Sequence, residues 1–496
     1  MIIEQSGSRS SRSVRAGVSR RNFWKKLARH SGAAAMAFDS LQCGWAAQTV
    51  GMKLKDIPRL DGTLELQSAV LQNFAFDMGR NVQRAPIAVL RPGSVEDLRR
   101  MVRYANRHSL KIAMRGRGHS QYGQSLVERG IVVDSSTLRA VKMVGLDSVD
   151  VQPGATWGDV NDVTLRVGKT PRVMPDTMRT ITVGGVLSVG GWGETSHNFG
   201  AVVDTVEELD VITGTGEMLT CSEHENVELF EMTLAGLGQC GLIARARLRL
   251  MPAPADVVRR ELIYQDVDAY IADASRLIVD SPFYYQRTAV NRAPDGGWKL
   301  SLMVGMKSDG KEQNLAPLPD GLKFQSATEQ TRVSYLDYLY RNKARDDEFF
   351  PANPKNPPQR AFLTMFLPAS KAKQFAAKLL ATPEERAGLI GIFPVNVRRF
   401  RRPLFKLPAE DLAFSFWFRP DTTADAEGHL KLMELNRRLI ERMRLAGGKR
   451  YTPYGLFASA AEWQEHFGPE QWQRFSKAKM NYDPKHVLTP GPGIFV

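Results

Sequence analysis

An α+β protein with a short leader and at least two domains is what this sequence predicts, and three observations predict it. The chain has 496 residues, too many for a single core. From about residue 86 to 252, short apolar strands alternate with capped helices. Residues 255–445 then change texture to long charged helices between aromatic-rich strands, and residues 446–496 return to compact, Gly/Pro-punctuated chain. The shifts divide the chain into a leader at 1–47, a first domain at 48–254, a second at 255–445 and a closing segment at 446–496.

Each element has a local reason. Ile87-Ala88-Val89-Leu90 reads as a strand, followed by a helix over 94–107 with Ser94 as its cap and Glu96 and Asp97 in its first turn. Residues 111–114 form the next strand and run into a Gly-rich loop; 131–133 and 149–151 are strands, and Pro153-Gly154 turns into a helix starting near Trp157. Residues 209–213 and 218–221 flank Gly214-Thr215-Gly216-Glu217, a hairpin signal. Over 242–250, Leu242, Ala244, Ala246, Leu248 and Leu250 alternate with Arg245, Arg247 and Arg249, the pattern of a strand with one wet face. Pro252-Ala253-Pro254 marks the domain boundary. Beyond it, strands are expected at 283–290, 298–305 and 414–418, helices at 371–380 and 430–445, and a proline-rich loop at 351–358.

Composition excludes several classes. With 43% hydrophobic and 24% charged residues the chain is ordinary globular protein, and no apolar run approaches the ~18 residues of a spanning helix. Of the net charge of +14, six charges sit in residues 1–47, and the rest is spread without a basic block interleaved with aromatics, so no nucleic-acid partner is expected. Three cysteines (Cys43, Cys221, Cys240) show neither CxxC spacing nor an even framework, and the eight histidines show no ligand spacing, so no metal is expected; His197, His224 and His466 read as surface or cap residues. HExxH, Walker and GxSxG motifs are missing from the sequence. Gly236, Gly238 and Gly241 satisfy GxGxxG, but a helical stretch precedes them and a strand follows, the reverse of a dinucleotide loop, so they read as a tight helix-to-strand turn. In the leader, Arg20-Arg21 with Phe23 and Lys25 before a small apolar run has the form of a twin-arginine export signal, which implies the machinery that exports folded proteins and a periplasmic or secreted location; a basic tail is the alternative.

The chemistry concentrates in Arg115-Gly116-Arg117-Gly118-His119-Ser120, with Gln124 beyond. Alternate glycines let backbone N–H groups converge on an anion, and the arginines add charge suited to a diphosphate. Alone, this stretch equally describes a surface turn. A second small-residue run, from Thr182 through Gly184, Gly185 and Ser188 to Gly191, suits close passage of backbone beside a flat ring.

With Val211-Ile212-Thr213-Gly214, the Gly236 turn and a closing set running from His466-Phe467-Gly468 to Thr489-Pro490-Gly491, these motifs resemble the PCMH-type FAD-binding domain of the vanillyl-alcohol oxidase and p-cresol methylhydroxylase superfamily, and within it the cytokinin dehydrogenases. The resemblance implies a two-subdomain FAD domain to which 446–496 returns, and an inserted substrate domain of antiparallel sheet with flanking helices. It implies FAD bound covalently through His119, by a single link because 183–193 contains no cysteine. Arg115, Gly116, Arg117, Gly118, Ser120, Gln124, Thr182, Gly184, Gly185, Ser188 and Ile243 are the implied cofactor-binding residues. It also implies oxidation of a small-molecule C–N or C–O bond by hydride transfer to flavin N5, with oxygen or a quinone-like acceptor taking the electrons. A proton-accepting aspartate is expected just before the Thr182 run, where Asp176 and Thr177 compete for the place; Asp176 also suits a turn after Pro175. Arg287 stands where cytokinin enzymes carry a substrate-facing glutamate, which implies an acidic or polyhydroxylated substrate. An exported lactone, alditol or alcohol oxidase, or a secreted flavin protein without turnover, remain the alternatives.

Overall fold

The strand Ile131–Asp134 organises the first sheet of the computed structural model, which describes residues 54–495 apart from 177–178, 280–281, 293–296, 311–313, 350–357 and 421–425. Ala88–Arg91 and Ile112–Arg115 lie parallel to it on either side, and Thr63–Glu65 closes one edge antiparallel. The helix Val95–Arg107 covers this sheet because Leu98, Met101, Val102 and Ala105 recur at helical spacing and are fully buried. Its start is fixed as expected: Ser94 accepts the Asp97 N–H, and the Asp97 carboxylate takes the N–H groups of Asp61, Gly62 and Gly93.

The second sheet runs in the order Val141–Val144, Ser148–Val151, Leu242–Pro252, Val206–Ile212, Met218–Ser222, with Lys169–Pro171 also paired to the central strand. The alternation along Leu242–Pro252 sorts as predicted. Its leucines and alanines are buried, while Arg245 and Arg247 reach Asp150, Glu208 and Asp210 on the other face. The helix Val227–Thr233 precedes the Gly236 turn, where Ala235, Leu237 and Gly238 take positive φ, and the strand follows, as the sequence indicated. The closing segment packs on this region. The buried Lys479 ammonium donates to the Gln239 and Leu488 carbonyls and pairs with Asp483 at 2.7 Å, and Leu488 bridges to Ile112.

Residues 256–450 supply two antiparallel sheets. One orders Tyr285–Arg292, Trp298–Ser308 and Asp256–Tyr264, with short strands beyond; the other orders Leu389–Asn396, Leu412–Phe418, Leu363–Pro368 and Lys449–Arg450. Val267–Val279, Ala369–Ala381 and Ala426–Leu445 are their flanking helices, and all three contribute to one apolar core. Most of the predicted proline-rich loop, and the leader with Arg20, Arg21 and Cys43, lie outside the described residues.

Candidate active site

A cavity of about 560 Å³ runs between the two halves of the fold, from the glycine turns of the first to the strands of the second. It is lined by Gly116, Arg117, Gly118, His119, Ser120 and Gln124; by Thr182, Gly184, Gly185, Ser188 and Ile243; and by Asp176 and Arg287. Widely separated motifs therefore meet in one space. Thr177 lies outside the described residues.

The 116–120 loop is held from behind. Gly118 has φ +71°, a conformation glycine adopts freely. The Met78 and Gly79 N–H groups donate to the Gly118 and Ser120 carbonyls. Beneath them the buried Asp77 carboxylate accepts the Gly123 N–H at 2.7 Å and the Ser120 hydroxyl at 3.1 Å. Burial pushes the Asp77 carboxyl up to about 6, partly offset by the Gly123 N–H and the nearby Arg115 charge. Asp77 went unnoticed in the sequence because its partners in the loop, Ser120 and Gly123, are more than forty residues away and no motif marks it.

Arg115 corrects an expectation. Its guanidinium does not line the cavity; it lies under the loop, donating to the Phe76 carbonyl at 2.7 Å and facing the Phe74 ring. A Cβ on Gly118 would stand 2.5 Å from it, so the glycine makes room for a brace rather than for a ligand contact. His119 does face the cavity. Burial, reinforced by Arg117, pushes its imidazole down to about 4 despite a hydrogen bond with the Thr180 backbone, so the ring is neutral at physiological pH.

Thr182 caps the helix Val183–Val189 by accepting the Gly185 N–H. Loop and helix touch so closely that a Cβ on Gly116 would lie 2.2 Å from Thr182 Oγ1. Gly185 differs, because a Cβ there would meet nothing within 4 Å but that same oxygen, at 3.0 Å, and would protrude into the cavity. The Ser188 hydroxyl donates to the Gly184 carbonyl, and Gln124 Nε2 donates to the Thr452 carbonyl, tying the loop to the closing segment.

The far end of the cavity is aromatic on one side and charged on another. Trp192, Phe393 and Trp417 pack together with ring centroids 4.8–5.8 Å apart. The Trp192 indole nitrogen has no hydrogen-bond partner among the described residues. On the charged side, Asp176 Oδ1 accepts Arg287 Nη1 at 2.9 Å, Arg341 Nη2 at 3.2 Å and Asn342 Nδ2 at 2.9 Å. Arg287 is thus in the cavity but already paired, so it does not offer the unopposed positive charge expected to greet an acidic substrate. Asp176, Glu194, the arginine pair and Tyr338 converge from segments up to 165 residues apart, which sequence spacing does not reveal.

Two histidine expectations also change. His197 and His466 are buried, His197 bonded to the Phe283 carbonyl and His466 packed among Phe457, Trp463 and Phe467, whereas His224 is exposed.

Comparison with known proteins places this geometry. The family "FAD binding domain" matches residues 86–222, and "Cytokinin dehydrogenase 1, FAD and cytokinin binding" matches 305–495. An oxidoreductase encoded in the fasciation locus of Rhodococcoides fascians is 30% identical over 443 residues, covering 87% of this chain and 99% of its own. Cytokinin dehydrogenase 4 of Oryza sativa subsp. japonica is 31% identical, with 88% and 90% covered. The chain belongs to the cytokinin dehydrogenase-like FAD-dependent oxidoreductases. Cytokinin dehydrogenase 1 of Arabidopsis thaliana is similar at 30% identity, with 86% of this chain and 81% of its own covered. Among solved structures, 6-hydroxy-D-nicotine oxidase from Arthrobacter nicotinovorans shares the fold, with a TM-score of 0.65, 19% identity, and 86% and 96% coverage. The fold is thus that of the vanillyl-alcohol oxidase and p-cresol methylhydroxylase superfamily, and the protein is an FAD-dependent oxidoreductase.

The residues fit FAD. The amides of Arg117, Gly118 and Ser120 donate to no described residue and belong to a loop lining the cavity, a nest suited to a diphosphate. Gly185 leaves space a side chain would fill, and flat aromatic walls follow.

Proposed function

We propose that the protein oxidises a small neutral amine, or an alcohol, at a C–N or C–O bond, with FAD attached through His119. One observation carries this reading: a single cavity joins the Gly-His-Ser loop and the Thr182 helix to a carboxylate beside an aromatic wall. Bound FAD supplies a hydride acceptor, and oxygen or a quinone-like acceptor reoxidises it.

The chain's own residues do the rest. The 116–120 loop and the start of the Thr182 helix would hold the diphosphate, and Ser120, Gln124, Ser188 and Ile243 line the same cavity that FAD would occupy. His119 is neutral and therefore nucleophilic at Nδ1 or Nε2, the state a covalent bond to the flavin methyl requires. Trp192, Phe393 and Trp417 exclude water and flank the substrate. Asp176 takes the proton that leaves the substrate nitrogen or oxygen as hydride departs. Arg287, Arg341 and Asn342 fix that carboxylate by bonding to one of its oxygens. The Arg20-Arg21 leader supports export of the folded protein to the periplasm or beyond. The test is the visible spectrum of the purified protein before and after acid precipitation. Yellow colour retained in the pellet is expected; complete release of flavin contradicts covalent attachment.

A further inference from the structure

The charged end of the cavity contains a second carboxylate, Glu194, to which neither the motifs nor the reaction assigns a task. It stands two residues beyond Trp192 and lines the same space. Arg287 Nη1 divides itself between Asp176, at 2.9 Å, and Glu194 Oε1, at 3.2 Å. Arg341 Nη2 makes the same division, 3.2 Å from Asp176 and in direct contact with Glu194. The remaining oxygen of Glu194 accepts the Tyr338 hydroxyl, and the Arg341 guanidinium lies over the Tyr338 ring at 4.3 Å. The four charged side chains are 16–26% exposed, so their interactions are only partly screened by water.

We propose that Glu194 is a positioning and specificity residue, which balances Arg287 and Arg341 so that Asp176 can still accept a proton and the cavity end favours uncharged substrates over carboxylates. The charge count makes the case. With Glu194 present, two guanidiniums meet two carboxylates and these four side chains carry no net charge. Without it, Asp176 alone would face both guanidiniums and the Asn342 amide. Opposite charges at hydrogen-bond distance favour the ionised carboxylate, so Asp176 would become a poor proton acceptor, and one excess positive charge would be left to draw an anion.

The neighbours do not supply this balance. Tyr285 and Tyr335, also facing the cluster, are phenols that burial holds protonated. Tyr338 is held protonated by burial and by the charge of Glu194. Arg172, which also lines the cavity, is cationic and faces the Phe199 ring at 5.8 Å, and the Arg179–Asp347 pair is itself balanced; neither changes among the variants compared below. Glu194 also bonds through its backbone, its carbonyl accepting the Gln286 N–H at 3.4 Å on the strand that carries Arg287, so its place beside that arginine is fixed.

The inference rests on the proposed role of Asp176 for its pH arm alone. The experiment uses the FAD-loaded protein and compares wild type, Glu194→Gln, Arg287→Gln and the double variant, with FAD content and circular dichroism as checks on folding. Calorimetric titration with benzoate should show binding to Glu194→Gln at least about tenfold tighter than to wild type, and binding to the double variant near the wild-type value. With a neutral amine that reduces the flavin, the acid limb of kcat/KM should move about one pH unit lower in Glu194→Gln, higher in Arg287→Gln, and near wild type in the double variant. Equal benzoate affinity in Glu194→Gln and wild type overturns the proposal. So does a double variant that tracks either single variant. If Glu194→Gln does not fold, the shift in Arg287→Gln and its return to near the wild-type value in the double variant carry the same comparison. Asp176→Asn decides the proton-acceptor role separately, since the benzoate arm does not depend on it.

Discussion

Replacing Asp77 tests the support behind the flavin loop without touching the cavity. Its carboxyl is pushed from an ordinary 3.8 up to about 6, so the fold prefers the protonated form. The sign follows from linkage. The stability this group confers is complete below about pH 4 and is lost as pH rises through about 6; the difference corresponds to roughly 3 kcal/mol. Asp77→Asn removes that penalty at pH 7 while its amide oxygen keeps one acceptor for both the Gly123 N–H and the Ser120 hydroxyl, which share Oδ2 in the wild type, and its amide nitrogen replaces the oxygen that faces the Arg80 N–H. Neutral hydrogen bonds replace charge-assisted ones, at a loss of similar size, so stability at pH 7 should stay within about 1 kcal/mol of wild type. Asp77→Ala leaves the buried Gly123 N–H without its acceptor and opens a void, and should cost about 2–4 kcal/mol. Thermal unfolding followed by circular dichroism from pH 4 to 8 measures both, and flavin fluorescence in a denaturing gel reports whether His119 is still well placed. Asp77→Asn should flatten the pH dependence between 4 and 6, and Asp77→Ala should lower both the melting temperature and the covalently held flavin. An Asp77→Ala protein that melts and retains flavin like wild type would refute the reasoning.

Other outcomes follow from the same geometry. His119→Ala should fold and bind FAD that acid precipitation strips completely, with slower substrate oxidation; flavin that stays in the pellet would place the attachment elsewhere. Asp176→Asn should leave FAD content unchanged and slow anaerobic flavin reduction by ~10²–10⁴-fold, the usual range for one general base, with Thr177→Ala costing much less; stopped-flow absorbance separates the two, and the reverse order assigns the reaction centre to Thr177. Changing Arg20 and Arg21 together to lysine should trap unprocessed, flavin-loaded protein in the cytoplasm, as cell fractionation would show; normal export would remove the twin-arginine reading.

What the sequence reveals depends on how far apart the cooperating residues lie. The Ser94 cap, the Thr156–Asp159 capping box at the start of Trp157–Thr164 and the Gly236 turn are local devices, so a few neighbouring residues dictate them. The glycines of the two cofactor runs were equally legible, because 2.2 Å between a hypothetical Gly116 Cβ and Thr182 Oγ1 leaves no alternative residue. Side-chain direction was not. Arg115 and Arg117 flank the same glycine, yet the positive φ at Gly118 allows the first to lie beneath the loop, while the second lines the cavity. The burial of His197 depends on a carbonyl 86 residues away, and the pairing of Glu194 with Arg341 spans 147. Charge alone made Arg287 look like an anion receptor; only three-dimensional proximity reveals the two carboxylates that occupy it.

Anaerobic mixing of the FAD-loaded protein with a panel of neutral secondary amines, primary amines and alcohols tests the central claim most directly. At least one of the panel should bleach the oxidised-flavin band in wild type, much more slowly in Asp176→Asn, with a matched carboxylate-bearing analogue ineffective. A flavin that no member of the panel reduces, or one that the carboxylate analogue reduces best, would contradict it.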